Sequence, residues 1–203
     1  MERGRKGRTA TRFAAAVALL AGVVFLAQPR AASRVWITVL GTTDQHGNLL
    51  PVDYYTGKPD ARGLAKVATL VKRARAENPG GTLLIDSGDL IQGSPLEYVH
   101  ARVNNAPPDP MVSAMNALGY DAMALGNHEY NYGRGVLDKA RHEATFPWLS
   151  ANTIDMATGM PAYMPYVVKV VQGVRVGILG LTTPGIPSWE DPRNYAGLTF
   201  RPT

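Results

Sequence analysis

Three short polar words in the 203-residue chain hold side chains that could do chemistry together: Asp44-x-His46, Gly88-Asp89 and Gly126-Asn127-His128-Glu129. Between them they offer carboxylate, imidazole and amide oxygen donors. Cysteine is absent, so thiolate metal sites, a cysteine nucleophile and disulfide staples are all excluded. A donor set of this kind suits Mn²⁺, Fe, Zn²⁺ or Mg²⁺. Each word taken alone has an ordinary explanation. Aspartate beside glycine is a turn former, a lone histidine is more often a hydrogen-bonded surface residue, and Asn127 with Glu129 could simply open a helix. Together they weigh differently. A fixed word such as GNHE arises by chance in about 10⁻³ of chains this long, taking about 1/20 per residue. The other two words also each stand just past a strand signal.

Those strand signals set the positions. Val35–Leu40 is a short β-rich apolar run ending at Gly41, and Thr82–Asp86 and Asp121–Leu125 are two more. Pro147–Ala151 reads as a fourth. Helical patterns separate them. One starts after Asp60, read as its cap, and carries Leu64, Val67, Val71 and Ala74 on one face until Asn78-Pro79-Gly80-Gly81 stops it. Another has Asp109 as N-cap, Pro110 in its first turn, Met111, Met115 and Leu118 on its buried face, and Gly119 at its end. Gly133–Ala144 reads as a third. Tyr166–Val171 and Val174–Thr182 flank Gln172-Gly173 as a hairpin. Strands alternating with helices imply an α/β fold with a largely parallel sheet, and in such sheets ligands meet the carboxyl ends of the strands. Asp44, His46, Asp89, Asn127 and His128 should therefore converge on one rim.

At these residues the sequence resembles the calcineurin-like metallophosphoesterases. GDLIQGSPL (Gly88 to Leu96) and GNHEYNYG (Gly126 to Gly133) are similar to their secreted nucleotidase branch, in particular to bacterial 2',3'-cyclic-nucleotide 2'-phosphodiesterase/3'-nucleotidases. The resemblance runs over about residues 35–203. It implies a metallophosphoesterase-type αββα sandwich, incomplete at the C-terminus, and two divalent metal ions as cofactors. Asp44 and His46 would bind the first ion, Asp89 would bridge both, and Asn127 would bind the second. His128 would stabilise the transition state or protonate the leaving oxygen. The implied substrate is a nucleotide rather than a nucleic acid polymer. Two cations about 3.5–4 Å apart can stabilise the attacking and leaving oxygens of an in-line displacement at phosphorus, which gives the pattern a physical reason independent of the family.

Two departures qualify the match. In 5'-nucleotidases of this branch an aspartate stands two positions after the GNHE block and orients the histidine, whereas here the residue is Asn131. An amide cannot stabilise an imidazolium as a carboxylate does, so a His–Asp dyad does not transfer, and the cyclic phosphodiesterase branch is favoured over a 5'-nucleotidase or nucleotide-sugar hydrolase. The family's remaining metal ligands are histidines further downstream, followed by a C-terminal nucleotide-binding domain. Only four histidines occur here, and the last is His142. His100 and His142 read as surface residues. Residues 34–203 therefore read as the N-terminal part of a catalytic domain, expected to have little activity by itself; a catalytically dead binding remnant is the rival.

Other features carry less. Gly177–Gly180 (GILG) lacks the pattern of a phosphate loop and reads as packing. Ser150-Ala151-Asn152 reads as a buried strand end. Tyr54, Tyr55, Tyr130 and Tyr132 could line a base pocket or be half-buried structural residues. The formal charge of +5 comes from residues 1–33, with six Lys/Arg and one acid, while residues 34–203 balance at 15 against 15; no basic surface for nucleic acid is indicated. That basic start, a 15-residue apolar run (Phe13 to Ala27) and Ala31-Ala32-Ser33 read as a secretory signal peptide over 1–33. The run is shorter than the roughly 20 residues of a membrane span, so the protein is expected to be secreted or periplasmic, without membrane attachment unless this segment stays uncleaved.

Overall fold

The computed structural model describes residues 34–203, so the signal-peptide reading of 1–33 lies outside the described residues. Four strands form one parallel sheet in sequential order: β1 (Thr38–Thr42), β2 (Thr82–Asp86), β3 (Ala122–Ala124) and β4 (Trp148–Leu149). Four α-helices accompany it: α1 (Leu64–Glu77), α2 (Pro95–Arg102), α3 (Pro110–Leu118) and α4 (Arg134–Glu143). Two antiparallel pairs complete the β-structure. β5 (Thr153–Asp155) pairs with β8 (Leu198–Phe200), and β6 (Tyr166–Val171) forms a hairpin with β7 (Val174–Leu179). This is the mixed α/β architecture with a parallel sheet that the sequence implies.

The core lies where the helices meet that sheet. Leu64 and Val71 of α1, Met111, Val112 and Met115 of α3, and Leu137 and Ala140 of α4 pack with Leu84, Met123, Leu125 and Trp148. Helix α3 takes the form its local signals dictate. The Asp109 carboxylate accepts the Val112 N–H at 2.9 Å, Pro110 occupies the first turn, and Gly119 ends the helix in the left-handed conformation.

Several boundaries differ from the sequence reading. The first strand runs over Thr38–Thr42 rather than Val35–Leu40, because its pairing with β2 continues to Thr42 opposite Asp86. Asp60 does not cap α1. The first N–H groups of that helix, from Leu64 and Ala65, are taken by the Asn48 and Leu49 carbonyls, and Asp60 pairs with Arg62 at 2.7 Å instead. The fourth strand shrinks to Trp148–Leu149. Helix α2 was not anticipated. His100, on that helix, is not a surface residue: its side chain is only 10% exposed, with Nε2 3.2 Å from Lys139 Nζ and 3.7 Å from an Asp109 oxygen. His142 is exposed as expected, and Ser150 and Asn152 are buried.

Candidate metal centre

The loops that follow β1 and β2 stay zipped together after the strands end. Ser87 N–H donates to the Thr42 carbonyl, Asp44 N–H to Gly88, His46 N–H to Asp89 and Gly47 N–H to Leu90, all within 2.8–3.0 Å. To make these contacts Asp44, His46 and Asp89 adopt positive φ values of 53°, 47° and 62°. Left-handed backbone is uncommon outside glycine and concentrates at functional sites, where the surrounding structure has to hold it. The β3 loop closes on the β2 loop through two glycines. A Cβ on Gly88 would lie 2.3 Å from the Gly126 nitrogen, and a Cβ on Gly126 would lie 2.2 Å from an Asp89 carboxylate oxygen. Only residues without side chains allow that approach.

Glu129 locks the same junction. It is fully buried, and its two oxygens accept the N–H groups of Asp89 (2.9 Å), Leu90 (2.6 Å), Ile91 (3.4 Å) and Gly126 (2.7 Å). Burial pushes its carboxyl above the usual carboxylate range, while the Leu90 and Asp89 amides pull the other way. Beneath the β1–β2 loops, Asp86 accepts from Thr42 Oγ1 at 2.5 Å and from Gly88 N–H at 2.7 Å, and burial raises its carboxyl to about 7. Glu129 and Asp86 face the backbone of the site rather than its mouth. They are scaffolding carboxylates.

The chemistry-bearing side chains meet in front of this scaffold. His46, Asp89 and His128 each present a ligand atom within 4.8 Å of the others, and the two imidazole rings stand edge to face with centroids 4.9 Å apart. Asp44 joins through an oxygen 3.7 Å from His46 Nε2; its side chain is 58% exposed, so it stands at the solvent side. Asp89 Oδ1 accepts the His128 N–H at 2.9 Å. Asn127 is half-buried between Gly126, which packs on Asp89, and His128, which opens a 3-10 helix over His128–Tyr130.

Both imidazoles are oriented from behind. His46 Nδ1 lies 2.8 Å from the Gln92 carbonyl, which can only accept, so Nδ1 carries the proton and Nε2 is free to bind a cation. His128 Nδ1 lies 2.6 Å from Asn131 Oδ1 in the same manner. The donor set fits divalent cations: oxygen and nitrogen ligands of borderline hardness, histidines held in one tautomer, and a carboxylate placed between them.

Three of the five expected residues thus gather tightly, Asp44 borders them and Asn127 sits in the adjoining turn. The sequence reading missed the anchoring role of Glu129, which it took as a first-turn acid, and the part played by the Gln92 carbonyl. Tyr54, Tyr55, Tyr130 and Tyr132 divide. Tyr130 is core, Tyr54 accepts N–H groups of Leu49 and Leu50, and Tyr55 and Tyr132 line a pocket of about 360 Å³ with Gln92, Gly93, Ser94, Pro95 and Tyr98.

Comparison with known proteins agrees with this geometry. The calcineurin-like phosphoesterase family matches residues 37–193. The chain is 41% identical over 187 residues to the trifunctional nucleotide phosphoesterase protein YfkN of Bacillus subtilis, covering 84% of this chain and 13% of that protein. It is 40% identical over 194 residues to a 2',3'-cyclic-nucleotide 2'-phosphodiesterase/3'-nucleotidase of Yersinia enterocolitica, covering 89% of this chain and 29% of that protein. The chain therefore spans less than a third of the length of these relatives. The crystal structure of calcineurin-like phosphoesterase YfkN from Bacillus subtilis superposes with a TM-score of 0.71 at 37% identity, over 81% of this chain and 54% of that one. Zipped strand-end loops, paired imidazoles around Asp89 and a family match across the whole site lead to one conclusion: the chain belongs to the calcineurin-like phosphoesterases, which use a binuclear divalent metal centre.

Proposed function

We propose that this chain carries the metal-binding part of a secreted phosphoesterase acting on nucleotides, with 2',3'-cyclic nucleotides as the preferred substrate and 3'-nucleotidase activity as the second step. The observation that carries the reading is the meeting of His46, Asp89 and His128 within 4.8 Å at the carboxyl ends of parallel strands. Asp44 and His46 would hold the first ion with Asp89, and Asp89 with Asn127 would hold the second. When bound, such a pair neutralises phosphoryl oxygens and makes water nucleophilic near neutral pH. His128 would face the leaving oxygen through Nε2, giving it a proton as the imidazolium while Nδ1–H stays with Asn131 Oδ1. The pocket beside Gln92 and Gly93 gives the base a place to stack on Tyr55, Tyr98 or Tyr132.

The neutral Asn131 and the relatives that pair cyclic phosphodiesterase with 3'-nucleotidase activity in their names support the cyclic branch. A 5'-nucleotidase of Vibrio cholerae is 36% identical over 193 residues, so the branch needs a direct test. With Mn²⁺ in excess, 2',3'-cyclic AMP should be hydrolysed faster than 5'-AMP. Asp89→Ala should abolish both reactions. Faster turnover of 5'-AMP would overturn the branch, and turnover that survives Asp89→Ala would overturn the site. Export by residues 1–33 predicts a mature N-terminus at Arg34, readable by N-terminal sequencing.

A further inference from the structure

The orientation of His128 depends on a residue 62 positions downstream that no motif contains. Asn131 lies between His128 and Glu190: its Oδ1 is 2.6 Å from His128 Nδ1, and its Nδ2 donates to a Glu190 carboxylate oxygen. An asparagine amide could in principle present either end to the imidazole, because oxygen and nitrogen have the same shape. An ionised glutamate can only accept. Glu190 therefore requires the NH₂ end of Asn131 to face it, which turns Oδ1 toward His128. Oδ1 in turn can only accept, so the proton of neutral His128 sits on Nδ1, and Nε2 is the nitrogen left to take up a proton and pass it on.

The carboxylate is itself fixed. Its other oxygen accepts the Asp191 N–H at 2.8 Å and Asn194 Nδ2 at 2.8 Å. Asn194 Nδ2 also donates to the Asn131 carbonyl at 3.1 Å, and Arg102 Nη2 approaches that carbonyl at 3.4 Å. Glu190 N–H donates to the Ile186 carbonyl at 3.0 Å, and Ile186 is fully buried, which seats the loop. The two contacts of the Asn131 amide thus agree on one orientation, and those of its backbone carbonyl hold the residue in place.

We propose that Glu190 is a positioning residue that acts through Asn131 to set the tautomer of His128. It supplies, one side chain removed, the negative charge that Asn131 itself lacks. Its catalytic consequence rests on the phosphoesterase reading; the tautomer does not.

The test is long-range ¹H–¹⁵N correlation of the imidazoles in chelator-treated protein, at a pH where His128 is neutral, with His128→Gln providing the assignment. The wild-type protein should show His128 protonated at Nδ1. Glu190→Gln replaces the acceptor-only group with an amide of the same size, so Asn131 can turn over and the Nε2-protonated tautomer should rise to a substantial share. In Asn131→Asp/Glu190→Gln the introduced amide donates to the introduced carboxylate, whose second oxygen again accepts from Nδ1, and the wild-type tautomer should return. Where turnover of 2',3'-cyclic AMP is measurable, Glu190→Gln should lower kcat roughly 10-fold with KM nearly unchanged. An unaltered Nδ1 tautomer in Glu190→Gln would overturn the proposal. Failure of the phosphoesterase reading would remove the turnover arm and leave the spectra standing, so the two are separable.

Discussion

The loops beyond β1, β2 and β3 and the β6–β7 hairpin are ordered in opposite ways. The hairpin has a regular ladder from Tyr166↔Leu179 to Val171↔Val174, yet Tyr166, Val168, Val170, Val174 and Leu179 are all exposed. The site loops have almost no regular structure, three strained residues and two buried carboxylates. The ladder, the buried Val171 and single contacts from Lys169 and Gln172 hold the one; backbone pairs joined to buried side chains that reach across long sequence separations hold the other. A region can therefore look regular and contribute little packing, while an irregular one is fixed at many points, because what matters is how many buried polar groups lose their partners when a side chain is removed.

The largest test of that contrast is Glu129→Ala. It strands buried amides of Asp89, Leu90 and Gly126, each costing about 1–3 kcal/mol when unsatisfied. Urea titration should show a loss of at least about 3 kcal/mol, and Mn²⁺ binding measured by calorimetry should weaken because Asp89 loses its backing. A loss under about 1 kcal/mol would mean that the loops do not depend on this anchor.

Asp86 gives an intermediate, pH-dependent effect. Burial lifts its carboxyl to about 7 in the folded protein, against about 3.9 in an unfolded chain. Between about pH 4 and 7 the folded state therefore holds a proton that the unfolded state has released. The contribution of this group to stability is greatest below that window and falls as pH rises through it, by up to about 1.4 kcal/mol per unit. Denaturation of chelator-treated protein across this range should show the slope, and Asp86→Asn should flatten it. An unchanged slope would locate the titration elsewhere.

The smallest effect belongs to the hairpin. Val170 is 69% exposed, so Val170→Thr should alter stability by no more than about 0.5 kcal/mol. A cost above about 1 kcal/mol would show that the hairpin face is covered, and the contrast between the two regions would fail.

What the sequence made legible was local. Helix α3 announced itself through Asp109, Pro110 and Gly119, and the hairpin through Gln172-Gly173, which take φ values of 48° and 81°. The three polar words were legible because each sits at a strand end, where chain direction alone brings them together. Helix α2 had a comparable signal in Ser94-Pro95-x-Glu97, with Ser94 Oγ accepting the Glu97 N–H at 3.3 Å, but the segment reads first as an extension of the Asp89 loop. The roles of Glu129 and Glu190 were not legible. Their partners lie 40 and 59 positions away, and nothing in the spacing of a lone glutamate marks which distant amide it will meet. β5 and β8 are three residues each and pair across a similar gap. His100 was misjudged for the same reason, since its burial depends on Asp109 and Lys139 rather than on its own neighbours.

Thr182 ties these observations together. It is almost fully buried; its hydroxyl donates to the Leu125 carbonyl at 2.9 Å, and Asn152 clasps its backbone on both sides, at 2.7 and 2.8 Å. Leu125 immediately precedes the turn that presents Asn127 and His128, and Thr182 begins the stretch that leads to Glu190. The two ends of the imidazole relay are thus moored to a common post. The strand that leaves the exposed hairpin thus enters the core at Thr182 before the chain turns toward Glu190.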